Sequence, residues 1–190
     1  MGRRSQIYIR YDKSGLIAYH FQWNYGEKMI SRAKQIIEFV DKSKEYPSLL
    51  DDKNIRKKLK KAAEVNSDTH DIELVHDITE ESKKFESLKS LKINDVFDYD
   101  NNDGQLYIDV NNNNVKYCFM SCNNEGNPMT AEEYMNWDYA ENWREHLNKE
   151  EIKYTEKNFN TINSLASLMT KEEFNDFIKI GIAKPHSFMV

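Results

Sequence analysis

Hydrophobic and polar positions alternate over residues 6–11 and 16–23, and Asp12-Lys13-Ser14-Gly15 interrupts them. Ile7, Ile9 and Tyr11 share one face of the first run, and Ile17, Tyr19, Phe21 and Trp23 share one face of the second. A period of two in β-branched and aromatic residues predicts strands, and the break between them predicts a hairpin. A three-residue loop, Lys13-Ser14-Gly15, would pair Ile9 with Tyr19, Tyr8 with His20 and Arg10 with Ala18. A loop one residue longer would scatter the large apolar groups over both faces. The period then changes. Met29, Ile30, Ala33, Ile36, Ile37 and Val40 recur at three- and four-residue spacing, one stripe of an amphipathic helix. Asn24 with Glu27 reads as its capping box. This helix is predicted to lie across the apolar face of the hairpin.

A second hairpin is predicted from Leu106, Ile108 and Val110 against Val115, Tyr117 and Phe119, with Asn111 to Asn114 as the turn. Pairing Val110 with Val115 sets Asp109 opposite Lys116, a favourable cross-strand pair. Between the hairpins, helices are predicted from Ser48 to about Val65 and from Thr79 to about Leu91, with a candidate strand at 71–76. Beyond the second hairpin, Thr130 with Glu133 opens a helix predicted to run to about Leu147. Phe159, Ile162, Leu165, Ala166 and Met169 predict a helix over 156–169, and Thr170 with Glu173 caps another that buries Phe174, Phe177 and Ile178. No internal repeat stands out. The expectation is an α+β fold. An antiparallel sheet of two β-hairpins, with a fifth strand from 71–76, is covered on one face by helices, and the last third is all helical. The expected division is 1–128 as sheet domain and 129–190 as a helical extension packed on it into a single compact unit.

The segments Arg4-x-Gln6-Ile7-x-Ile9-x-Tyr11, Gly15-Leu16-Ile17-Ala18 and Gln22-Trp23-Asn24-Tyr25-Gly26-Glu27 resemble small uncharacterised proteins of Gram-positive phages, prophages and plasmids. The stretch 100–109 is similar to their second hairpin. The resemblance covers about residues 3–145 and implies a mobile-element origin. It implies no catalytic residue.

A net charge of −5 argues against general nucleic-acid binding. The basic helix side from Lys53 to Lys61 has no interleaved aromatics and reads as a solvated face. No apolar run reaches membrane length, so a cytoplasmic location and no membrane contact are expected. Cys118 and Cys122 are expected to be free thiols. The stretch from Asp98 to Asp109 resembles a calcium loop, but its glycine falls one place late and its last residue is not glutamate, so no metal is expected. No motif calls for a cofactor. The best candidate site is the other face of the first hairpin, where Tyr8, Arg10, His20 and Gln22 fall in a row. A phenol, a guanidinium and an imidazole on one sheet face can bind an anion or move protons. The same row is also what the solvent face of a half-exposed sheet looks like. The favoured expectation is a non-enzymatic protein acting by contact with a protein partner. An anion-binding protein or enzyme using Tyr8, Arg10 and His20 is the alternative. Nothing in the chain indicates its oligomeric state.

Overall fold

The computed structural model describes residues 4–10, 16–22, 25–45, 103–110, 114–121 and 127–179. The predicted helices at 48–65 and 79–91 and the candidate strand at 71–76 lie outside these residues. Both hairpins form: β1 (Arg4–Arg10) with β2 (Leu16–Gln22), and β3 (Gln105–Asp109) with β4 (Val115–Met120). Between them comes α1 (Glu27–Glu45). The chain then folds into α2 (Ala131–Asp138), a 3-10 turn (Trp143–Glu145), α3 (Lys149–Leu165), a three-residue strand β5 (Ala166–Leu168) and α4 (Lys171–Lys179).

The sheet is mixed, which corrects the antiparallel expectation. Its order is β2-β1-β3-β4-β5. The pairs β1–β2 and β3–β4 are antiparallel, whereas β1–β3 and β4–β5 are parallel. Alternation looks the same beside a parallel or an antiparallel neighbour, and a turn dictates only the pairing inside its own hairpin. How the hairpins join is written elsewhere in the chain. Gln6-Ile7-Tyr8-Ile9-Arg10 and Gln105-Leu106-Tyr107-Ile108-Asp109 are near copies, and they pair residue for residue in parallel. This short likeness, too brief to stand out as a repeat, is the signal for the central ladder. The long chain between β1 and β3, α1 included, is the crossover that a parallel pair needs.

The second hairpin takes the expected register, Asp109 opposite Lys116. The first is offset by two residues from the expected one. Ile9 faces Ile17, Tyr8 faces Ala18 and Gln6 faces His20. A shift of two preserves the alternation, so the apolar pattern cannot tell the two registers apart. Another correction concerns the last third. Ala166–Leu168 leave the predicted helix and add a strand to β4, so the last third is not all helical.

One face of the sheet is aliphatic and aromatic. Ile7, Ile9, Leu106, Ile108, Tyr117 and Phe119 pack there against Met29, Ile30, Ala33, Ile36, Ile37 and Val40, the whole predicted stripe of α1. Residues Phe159 and Ile162 of α3 join this core, with Trp143 edge-on to Phe159 at 5.6 Å. A polar contact sets the seam between α1 and α3: Asn158 Nδ2 donates to Ser31 Oγ, and Ser31 donates to Tyr154, both at 3.4 Å.

Capping residues bound the C-terminal helices. Thr130 and Glu133 make the expected capping box on α2. Asn148 and Glu151 make one on α3, and so start that helix seven residues before the predicted Glu156. Helix α2 stops at Asp138, well short of Leu147, and Ala140 and Glu141 take positive φ values of 52° and 111°. Asp138, Tyr139 and Asn142 are weak helix formers, and the break delivers Trp143 to the core. Tyr134 ties this part to the N-terminal half. Its hydroxyl donates to the Asp103 carbonyl at 2.8 Å and accepts from the Gly26 N–H at 3.3 Å. Gly104, at φ 94°, lets the Tyr134 ring approach, since a Cβ there would stand 2.9 Å from it.

Ile37 is fully buried between α1 and the sheet. Ile37→Ala should lower the unfolding free energy by about 2–5 kcal/mol, read from the urea midpoint at unchanged m-value.

Candidate functional site

Consecutive residues of a strand point to opposite faces. With Ile7 and Ile9 committed to the α1 core, Gln6, Tyr8 and Arg10 face the other way, beside Gln105, Tyr107 and Asp109 of β3. This second face is not solvent. Helix α4 lies over it, so helices cover both faces and the one-sided covering expected from the sequence is corrected. Phe174 and Phe177, one turn apart on α4, meet Tyr107 edge-on at 5.0 Å and 5.5 Å. Tyr8 and Tyr107 stack at 4.9 Å with planes 13° apart. Met169, just before α4, brings its sulfur to 3.7 Å from Cys118 Sγ.

The polar groups of this layer answer one another. The Tyr8 hydroxyl donates to Gln6 Oε1, which also accepts from Gln105 Nε2 at 3.3 Å. The Tyr107 hydroxyl donates to Gln105 Oε1 at 2.8 Å. At the other end the Arg10 guanidinium donates to the Asp109 carboxylate. The Phe177 ring lies under the guanidinium at 4.8 Å, and Asp176 Oδ2 stands 3.7 Å away. The Lys116 ammonium reaches Glu173 of α4 at 3.3 Å. Only 9% of Arg10 and 8% of Asp109 is exposed. Tyr8 and Tyr107 are fully buried, and burial holds both phenols well above the ordinary range; for Tyr107, neighbouring Tyr8 and Cys118 add to the effect. Burial likewise raises the Cys118 thiol.

Of the four residues expected to form a site, the structure thus joins Tyr8 and Arg10 with residues of the second hairpin. Register places His20 opposite Gln6, and Gln22 opposite Arg4, one strand further out, and β2 is described by its backbone alone. The residues missed were Gln105, Tyr107, Asp109, Phe174 and Phe177. Asp109, opposite Lys116 as the hairpin pattern predicts, also sets its carboxylate against Arg10. A signal was present. The second face of the second hairpin carries Tyr107, Cys118 and Met120, more apolar surface than a solvated face needs.

Chemically, the layer holds its phenols protonated and most of its donors and acceptors in use, Arg10 Nε being buried without a hydrogen-bond partner. An Arg10 already neutralised by Asp109 has little attraction left for an external anion, and a phenol with a raised pKa is a poor acid. Among the described residues no group of three or more His, Cys, Asp or Glu side chains is placed to hold a metal ion. No described helix is long and apolar enough to cross a membrane.

Two measurements follow from this layer. Arg10→Met should cost about 3–5 kcal/mol in urea unfolding, because Asp109 is left buried without its cation, and adding Asp109→Leu should restore most of the loss. Buried neutral tyrosines bind their protons more tightly in the folded chain than in the unfolded one. Their stabilising effect is therefore complete below about pH 10 and declines as pH rises above it. Phenolate absorbance of the buried tyrosines should appear together with loss of the fold, in a single alkaline transition.

No protein-family model, curated protein or solved structure matches the chain.

Proposed function

We propose that this protein works by protein–protein contact and not by catalysis. The observation that carries the reading is the closure of the second face. The side chains best suited to bind an anion or move a proton, Tyr8 and Arg10, are engaged by Gln6 and Asp109 beneath α4. Building a buried ion pair into a catalytic centre would require α4 to leave and the pair to part, and nothing in the reading needs that. The resemblance of the N-terminal segments to phage and plasmid proteins agrees with an accessory role of this kind.

The contact surface proposed is the β2 edge of the sheet. Among the described residues β2 has a strand neighbour on one side only, namely β1. An extended partner segment could add there by main-chain hydrogen bonding. The test has two arms. In the first, inorganic phosphate and sulfate are titrated into isotope-labelled protein; no saturable shift of the Tyr8 and Arg10 resonances is expected, and a saturable one would overturn the reading in favour of an anion site. In the second, the full chain captures its partner from host extract and cross-links are mapped; the expected links cluster along 16–22, and links confined elsewhere would remove the edge from the proposal.

A further inference from the structure

Residues 166–170 are Ala-Ser-Leu-Met-Thr, and the stretch 149–179 contains neither glycine nor proline. Alanine, leucine and methionine are among the strongest helix formers. The apolar spacing that runs through Phe159 and Ile162 continues through Ala166 and Met169. Through residue 169 local preference is therefore for unbroken helix, with the Thr170–Glu173 capping box as the one local signal for a new start; a continuous helix over 149–179 would be about 46 Å long at 1.5 Å per residue. The structure overrides this. Helix α3 stops at Leu165, and the very next residue, Ala166, is extended at φ −139° and ψ 156°, with no loop between helix and strand. What holds the break is tertiary. Ala166–Leu168 pair with Val115–Tyr117, the Met169 N–H donates to the Tyr117 carbonyl at 2.8 Å, and Phe174 and Phe177 are buried on the second face. Thr170 adds a local contribution. Its Oγ1 accepts from the Glu173 N–H at 3.1 Å, and the Glu173 carboxylate accepts from the Thr170 N–H at 2.8 Å, which starts α4 afresh.

A segment whose own preference opposes its fold can be satisfied in two ways, and a hinge of zero loop length is the arrangement that favours exchange between copies. We propose that residues 166–170 are a helix–strand hinge, and that α4 of one copy can dock on the Tyr8–Tyr107 face of a second copy. The occupant is identical in chemistry to the one seen here. Phe174 and Phe177 meet Tyr107, while Asp176 and Glu173 lie toward Arg10 and Lys116. Exchange recreates these contacts between chains, so what separates the two forms is the hinge itself and the entropy of association. In the exchanged form Ala166–Thr170 become helical and α3 continues into α4. This inference goes beyond the β2 contact proposed above and does not depend on it.

Two substitutions act on the hinge in opposite directions. Lys171 is the first residue of α4, where proline is accepted because the N–H there has no intrahelical partner; in a continuous helix the same proline would break the ladder. Thr170→Ala removes the cap and improves the continuous helix. The full-length chain and both variants are concentrated, with and without brief exposure to mild urea, and sized by light scattering over a dilution series. The expected result is a slowly exchanging monomer–dimer mixture for the unaltered chain. Thr170→Ala should raise the association constant about fivefold or more, and Lys171→Pro should lower it at least about a hundredfold. Spin labels at the exposed positions Ser164 and Asn175 should report, in the dimer fraction, a separation near 16 Å along one helix axis. The proposal is overturned if both the unaltered chain and Thr170→Ala stay monomeric throughout, if Lys171→Pro leaves dimerisation unchanged, or if the dimer lacks the helical label distance.

Discussion

The parallel ladder between β1 and β3 is the constraint on which the other contacts depend. Its register sets Gln6 beside Gln105, Ile7 beside Leu106, Tyr8 beside Tyr107, Ile9 beside Ile108 and Arg10 beside Asp109. Like sits beside like, except at the end, where opposite charges meet. On one face the aliphatic pairs form the floor for α1. On the other the glutamines join by hydrogen bonds, the phenols stack and the ions pair, and α4 closes over them. A one-residue slip of β1 along β3 would turn Arg10 toward the aliphatic core and leave Asp109 on the other face, each charge buried without its partner. The buried polar row therefore specifies the alignment as much as it stabilises it.

Much of this fold is legible in the residues, but unevenly. The stripe of α1, the register of the second hairpin and the Thr130 and Thr170 caps are local statements, each encoded within a few residues. The registers that a period of two cannot separate, the parallel joining of the hairpins and the strand at Ala166–Leu168 are not local. At Ala166–Leu168 local preference even points the wrong way, because the free edge of β4 and the burial of Met169 and Phe174 outweigh helix propensity. The asparagine cap of α3 was legible as Asn148-x-x-Glu151, since asparagine serves as well as serine or threonine.

The candidate site shows how a polar row can mislead. A tyrosine, an arginine and a histidine on one face of a hairpin have the composition of a binding face and of a solvated one alike. Neither picture anticipates a buried layer in which the partners come from residues 105–109 and the covering comes from residues 174–177. Single-strand patterns carry no information about such partners. The near copy of Gln6–Arg10 at Gln105–Asp109 does, because two strands with matching side chains and opposite terminal charges are suited to lie side by side.

The ladder also has a consequence in time. Arg10 and Asp109 are 99 positions apart, and Tyr134 closes the turns at Gly26 and Asp103 from further on still. While the chain emerges from the ribosome, β2 is the one described strand available to β1 before β3 is made, and a hairpin needs packing such as that of α1 to be stable in water. Even with α1 in place, the Tyr8 side of β1 lacks Tyr107 and the cover of α4 until more than half of the polypeptide has been made. Closing so long a loop makes the central pairing a late and slow event in folding. During synthesis that second side of the first strand is open to chaperones, and a nascent chain stalled before Asp109 would present them with an unpaired β edge.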